Sequence, residues 1–192
     1  MRTIKKVASH IFIDGFGGMT QGLFATLIIG TMIQQIGLLI GGSTGNVIYL
    51  LGKAAAALTS AGIGVGVAVK YGESPLVTVS AAVAAMVGGY AGKITGGTFF
   101  VDGNAVLAGP GEPLGAFIAA FAGITCGHLV SGKTKVDIIV TPVITIGAGS
   151  VVGLLVGPPI SQMMTGLGSI INWATEQRPF IMGIVVSVVM GM

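Results

Sequence analysis

The residues best suited to holding a polar solute fall in one stretch, GKITGGTFFVDGNAVLAGPGEPL, which ends at Leu114. Asp102, Asn104 and Glu112 there offer two carboxylates and an amide. Such planar groups can bond the vicinal hydroxyls of a polyhydroxylated molecule in pairs. In an exposed loop the same three residues would only be solvated. Other polar groups stand close to or inside apolar runs, where they are costly. Gln34 and Gln35 would bond between helices or touch a polar solute. His128 is expected at an interface, hydrogen-bonded, and is also a candidate solute contact. Lys53 either snorkels to the membrane surface or faces a cavity. Asp14 is placed to cap a helix.

One sharper match does not survive its context. Gly127 to Thr134 fits the phosphate-cradling pattern G-x-x-x-x-G-K-[ST]. That chemistry needs a buried strand before the loop, a helix after it and an acidic residue on a second strand for magnesium. Here a small-residue apolar helix precedes and another apolar run follows, so the segment reads as a charged turn. There is no Ser-His-Asp arrangement, and Cys126 has no activating base nearby. As the lone cysteine it can form no disulfide framework within the chain and no thiolate cluster. The two histidines lie far apart, so neither catalysis nor a bound metal or cofactor is expected.

The elements that position these groups are hydrophobic. Of 192 residues, 53% are hydrophobic and only 8% charged, with a mean hydropathy of +0.96. A soluble domain carries roughly a quarter charged residues, so much of this surface must face lipid. The 34 glycines follow no Gly-X-Y period and sit inside apolar stretches, where small residues let membrane helices approach. Nine Lys and Arg are scattered along the chain without a stripe, which excludes nucleic acid as a partner. The fold class is therefore all-α, a polytopic transmembrane helix bundle in a single domain.

At about 20 residues per crossing, the expected spans are 19–40, 46–69, 75–90, 115–130 and 136–156, with an unresolved reading for 160–192. A short interfacial helix is expected around Ile4, Val7, Ala8 and Ile11. Basic residues near the start resemble a signal peptide, but the first long apolar run has full spanning length and reads as a retained anchor. Residues 91–114 are either an exposed loop or a re-entrant segment lining a cavity. The last apolar run, Pro179 to Met192, falls short of a crossing, so a fragment of a longer domain, or half of a broken helix, is expected. Tyr49, Tyr71 and Tyr90 mark span ends. With the N-terminus in the cytoplasm, Arg2, Lys5, Lys6, Lys70, Lys133 and Lys135 all fall inside and only Lys93 outside.

Small residues also predict contacts. Gly149, Gly153 and Gly157 form one ladder; Gly115, Ala119, Gly123 and Gly127 form another. Gly37 with Gly41, and Gly62 with Gly66, give shorter ones. These faces should pack on protein. An internal repeat is suggested by GLLIGG (Gly37 to Gly42) and GLLVGP (Gly153 to Pro158).

Taken together, FIDGFGGMTQGLFATLIIGTMIQQIG, PLGAFIAAFAG, SGKTKVDIIVTPVITI, VGLLVGPPIS and NWATEQRPFIMGIVVSVVMGM resemble the membrane subunit (IIC) of the bacterial sugar phosphotransferase system. The likeness is strongest to the branch that includes the perfringolysin regulatory membrane protein, and SGKTKVDIIVTP with GPPIS carries most of its specificity. It covers nearly the whole chain. The resemblance implies a permease-like domain of the bacterial inner membrane that binds a sugar or polyol, with Glu112 as the acidic residue on the sugar hydroxyls. A non-transporting membrane regulator of the same family is the alternative. The implied partners are the lipid bilayer, the solute, separate IIA and IIB proteins that carry the phosphoryl groups, and a second copy of the chain.

Overall fold

The computed structural model describes residues 10–101, 103–107 and 109–176, together with Gly183 and Ser187. Arg2, Lys5, Lys6, Asp102, Arg178 and nearly all of the run from Pro179 to Met192 lie outside the described residues, as does most of the expected interfacial helix. Helix α1 covers 10–40, with π-helical turns at His10–Gly15 and Phe24–Ile28. It is followed by α2 (Gly42–Ala57), α3 (Thr59–Lys70), α4 (Pro75–Gly89) and the short α5 (Ala91–Thr95). A two-strand hairpin, β1 (Phe100–Val101) and β2 (Asn104–Ala105), pairs Phe100 with Ala105 and Val101 with Asn104. Then come α6 (Pro113–Val130) and α7 (Asp137–Glu176).

The local signals account for most helix ends. Gly41 and Gly42 adopt φ of 66° and 65°, left-handed values that cost glycine little and let α1 turn back into α2. Ser74 accepts a hydrogen bond from Val77 N–H at 3.4 Å, with Pro75 beginning α4. Pro113 likewise begins α6, there without a side-chain cap. Three helical stretches among the described residues are long and apolar enough to cross a bilayer: Ile13–Ile40, Pro113–Val130 and Asp137–Ile170. A fourth crossing results if α2 and α3, bent by 53° at their junction, count as one broken span.

Two expected spans take a different form in the structure. The run 46–69 is two helices, broken at Leu58, although KAAAALTS contains neither proline nor glycine at the break. One local and one tertiary hydroxyl reach the carbonyls there. Thr59 Oγ1 donates to Ala56 O at 2.6 Å, and the Tyr90 hydroxyl lies 3.2 Å from Ala57 O. The reverse happens at Gly157-Pro158-Pro159, expected to end a span. Helix α7 continues through it for a total of 40 residues, although each proline removes a backbone hydrogen bond. The stretch is held laterally instead: Gly157 packs on Ala91 and Gly88. The span expected at 75–90 is the 15-residue α4, about 22 Å long. The two repeat-like segments also differ, since Gly37 to Gly42 ends α1 while Gly153 to Pro158 lies inside α7.

Two glycine seams hold the bundle. In the first, α1 lies antiparallel on α2 and α3, with Gly18 against Gly66, Gly22 against Gly62, Gly30 against Gly52 and Gly37 against Gly45. A Cβ at Gly22 would stand 2.3 Å from Gly62 O, so any side chain there pushes the helices apart. In the second, the two long ladders meet as their spacing predicts. Gly149 packs on Ala119 and Gly123, Gly153 on Gly88 and Ala119, and Gly88 on Gly115 and Ala119. Between the seams, α3, α4 and α6 enclose the apolar core of Ile63, Val67, Val77, Ala81, Ala120 and Ile124.

Candidate functional site

The order of antiparallel neighbours gives the bundle two unlike ends. At one end α3 begins, α4 stops and α6 begins, while α1, α2 and α7 run on past that level. Here the chain leaves regular structure and folds back on itself. The Ser60 hydroxyl donates to Pro110 O at 2.9 Å, and Glu112 N–H donates to Gly89 O at 2.7 Å. The Tyr90 hydroxyl, on a side chain only 1% exposed, donates to Gly109 O as well as approaching Ala57 O. Gly111 has φ of 75°, and a Cβ there would meet Ser60 Oγ at 2.4 Å. The base of the connection is therefore stapled to the α2–α3 break, while Gly103, Asn104 and Ala105 at its tip are exposed.

These interruptions enclose a cleft of about 210 Å³ lined by Gly89, Lys93, Gly111, Glu112 and Ser161, among others. Glu112 stands just before the first turn of α6, in the connecting segment. Burial pushes its carboxyl above the usual range, partly offset by a backbone hydrogen bond from Leu114. The Lys93 ammonium lies 5.3 Å from the centre of the Tyr90 ring, a cation–π distance. A second cleft of about 460 Å³ adjoins the first along Gly92 and Ser161 and continues to Thr95, Gln162 and Thr165.

The other end is closed by polar pairing. His128 Nδ1 lies 3.0 Å from Glu73 Oε1; the imidazole is 70% exposed and the Glu73 side chain 8%. Ser74 and Ser131 hydroxyls are 3.1 Å apart. Asp137 accepts from Gly132 N–H at 2.9 Å and from Thr141 Oγ1 at 2.6 Å. The Tyr71 hydroxyl is held protonated above its usual range by burial and by the Asp14 carboxylate. The Gly127 to Thr134 turn belongs to this end; it follows a helix and leaves Lys133 and Thr134 exposed.

Of the sequence candidates, only Glu112 lines a described cleft. Asn104 sits on the exposed hairpin, and Asp102 lies outside the described residues. His128 is at the far end of α6. Gln34 is half-buried where α1 crosses Gly52, and Gln35 and Lys53 are exposed. Asp14 falls within the first π-helical turn of α1. The residues missed are Lys93, Ser161, Gln162 and Thr165. The signal for the last three was their i, i+1, i+4 spacing, hidden by treating Pro159 as the end of a helix.

The interrupted helices leave irregular backbone where it lines a cleft, the setting in which membrane proteins tolerate it. The family model described as phosphotransferase system, EIIC, matches residues 13–192, and the chain belongs to that family. It is thus a multi-pass membrane domain of the sugar-transport type, a permease component. No curated protein and no solved structure matches the chain.

Proposed function

We propose that this domain binds a neutral sugar or polyol in the cleft at Glu112 and passes it across the bacterial inner membrane. Separate IIA and IIB proteins would then supply the phosphoryl group. One observation supports this reading above the others: a half-buried carboxylate lines a cleft formed where α2–α3, α4 and α6 are all interrupted. A carboxylate accepts two hydroxyl hydrogens at once, and Lys93 offers donors to hydroxyl oxygens in the same space. The helices can rearrange because the α2–α3 junction is already broken.

Orientation follows the basic residues. With Lys70, Lys133 and Lys135 in the cytoplasm, the antiparallel helix order puts the Glu112 cleft towards the outer side. The solute would enter there. The Glu73–His128 end would lie towards the cytoplasm, where partner proteins act.

The test is uptake of radiolabelled hexoses, disaccharides and hexitols into vesicles carrying the full-length protein with its IIA and IIB partners. Glu112→Gln keeps the shape and removes the charge. It should lower uptake about 10- to 100-fold, as expected for a charged hydrogen bond worth about 1.5–3 kcal/mol, with thermal stability nearly unchanged. Solute binding without uptake would favour the regulator reading instead. Unchanged uptake in Glu112→Gln would refute the assigned site.

A further inference from the structure

One part of the bundle packs mainly on itself. Ile29–Ile40 of α1 and Gly42–Ala57 of α2 lie on each other and on the turn Phe24–Ile28. Among the described residues, α4, α5, α6 and α7 do not pack on this pair to a comparable extent, and Leu38, Leu39, Leu50 and Leu51 on it are exposed. On the other side of Leu58, by contrast, α3 packs on α1, α4 and α6 together. Close glycine contacts lock the self-packed pair. A Cβ on Gly37 would stand 2.5 Å from Tyr49 N, and one on Gly52 2.5 Å from Gly30 O. Backbones that close move as one body.

Both helices of the pair are irregular at the same level. Gly22 faces Gly62 and Gly30 faces Ala56 across the seam. The π-helical turn Phe24–Ile28, between Gly22 and Gly30, therefore stands opposite the 53° break at Leu58. A Cβ on Gly62 would meet Thr26 Cγ2 at 2.6 Å, which fixes that register. Such turns and helix junctions absorb dihedral changes that regular helix resists. A bend in one helix alone would pull the seam apart. Coincident bends leave it closed.

A single hydroxyl crosses this level towards the Glu112 segment. Ser60 and Gly89, both on the α3–α4 side of the break, hold Pro110 O and Glu112 N–H. The Tyr90 hydroxyl donates to Gly109 O in the same segment, and it lies 3.2 Å from Ala57 O at the end of α2. A phenol has one hydrogen to give, so the two carbonyls compete for it.

We infer that residues 29–57 form an arm that swings as one body on the paired irregularities at 24–28 and Leu58. Tyr90 is the positioning residue that ties the pose of the arm to the Glu112 segment. This rests on the transport reading for its purpose, and it gives that reading a moving part. Solute at Glu112 shifts the 109–112 segment, and the shared hydrogen passes the shift to α2.

The experiment measures distances between nitroxide labels by pulsed electron paramagnetic resonance, on the full-length protein in lipid nanodiscs and in a Cys126→Ser background. Val83→Cys on α4 is paired with Thr44→Cys at the tip of the arm, with Lys53→Cys near its base, or with Thr134→Cys at the closed end; all four positions are exposed. At helical rise Thr44 stands about 21 Å from Leu58 and Lys53 about 8 Å. Tyr90→Phe should shift or broaden the Val83–Thr44 distances by several ångströms, roughly three times the change at Lys53, and leave Val83–Thr134 unchanged. A general loosening of the fold would not produce that ratio. If Tyr90→Phe fails to fold, Thr59→Ala, which removes the hydroxyl bonded to Ala56 O at the same break, should give the same pattern. No change in either arm pair overturns the inference, as does an equal change at both arm sites or any change in the Val83–Thr134 pair. The measurement uses no solute, so its failure is distinct from failure of the transport reading, which uptake decides.

Discussion

Helix α6 joins two ends built from the same kinds of helix but organised in opposite ways. At its C-terminus the neighbouring connections are short, and the polar side chains pair with one another: Glu73 with His128, Ser74 with Ser131, Asp137 with Thr141. At its N-terminus the connection is long, and its hydrogen bonds go mainly to backbone carbonyls. Tyr90 and Ser60 bond the carbonyls of 109 and 110, and the Glu112 and Lys93 side chains line a cleft beside them. Paired polar groups close one end. At the other, polar groups spent on backbone keep it shaped and open. Close glycine contacts occur towards both ends, Gly127 on Thr145 at one and Gly88 on Gly115 at the other, so packing alone does not decide where a solute binds.

The strongest way to break this contrast is to remove the staple. Tyr90→Phe preserves the ring and takes away the hydroxyl that serves Gly109 O and Ala57 O. Losing such a hydrogen bond costs about 0.5–1.5 kcal/mol. The variant should lose thermal stability and lower solute affinity together, as measured by unfolding in detergent and by binding. Unchanged affinity would mean that the 109–112 segment is positioned by something else.

A smaller effect is expected at the closed end. His128→Ala removes the partner of Glu73, but the imidazole is 70% exposed. Solvent screening limits the loss to about 0–1 kcal/mol. Uptake should stay near wild type; a loss comparable to that of Glu112→Gln would erase the distinction between the ends.

The smallest effect is a slope with pH. Burial raises the Glu112 carboxyl in the fold, so the folded protein binds this proton more readily than the unfolded chain. The resulting stability is fully present below the unfolded carboxyl pKa and is lost as pH rises through the raised folded value. Over that interval, unfolding midpoints of the wild type should fall relative to Glu112→Gln. Parallel profiles would show that the burial has no energetic consequence.

Much of this architecture was legible in the residues. Hydropathy marked the helices, and the ladders of Gly149 to Gly157 and Gly115 to Gly127 named helices that touch. The proline- and glycine-rich stretch before α6 pointed to Glu112. What could not be read were features imposed by tertiary partners. The break at Leu58 has no local breaker, because Tyr90 and Thr59 stabilise it from elsewhere in space or from the helix end itself. Pro158 and Pro159 argue for an end, yet packing of Gly157 on Gly88 and Ala91 carries the helix through. Ser161, Gln162 and Thr165 were therefore hidden in a segment read as a tail. His128 was drawn towards the site by its chemistry, although the expected span 115–130 already separates it from Glu112.

The central claim is that solute occupies the interrupted end of the bundle. The lone cysteine makes a direct test practical. In a Cys126→Ser background, a single cysteine is introduced by Ser161→Cys at the cleft or by Ser131→Cys at the closed end, and labelling by a polar maleimide is timed with and without a solute that the protein binds. Solute should slow labelling at position 161 and leave position 131 unaffected. Protection at 131 with none at 161 would contradict the account.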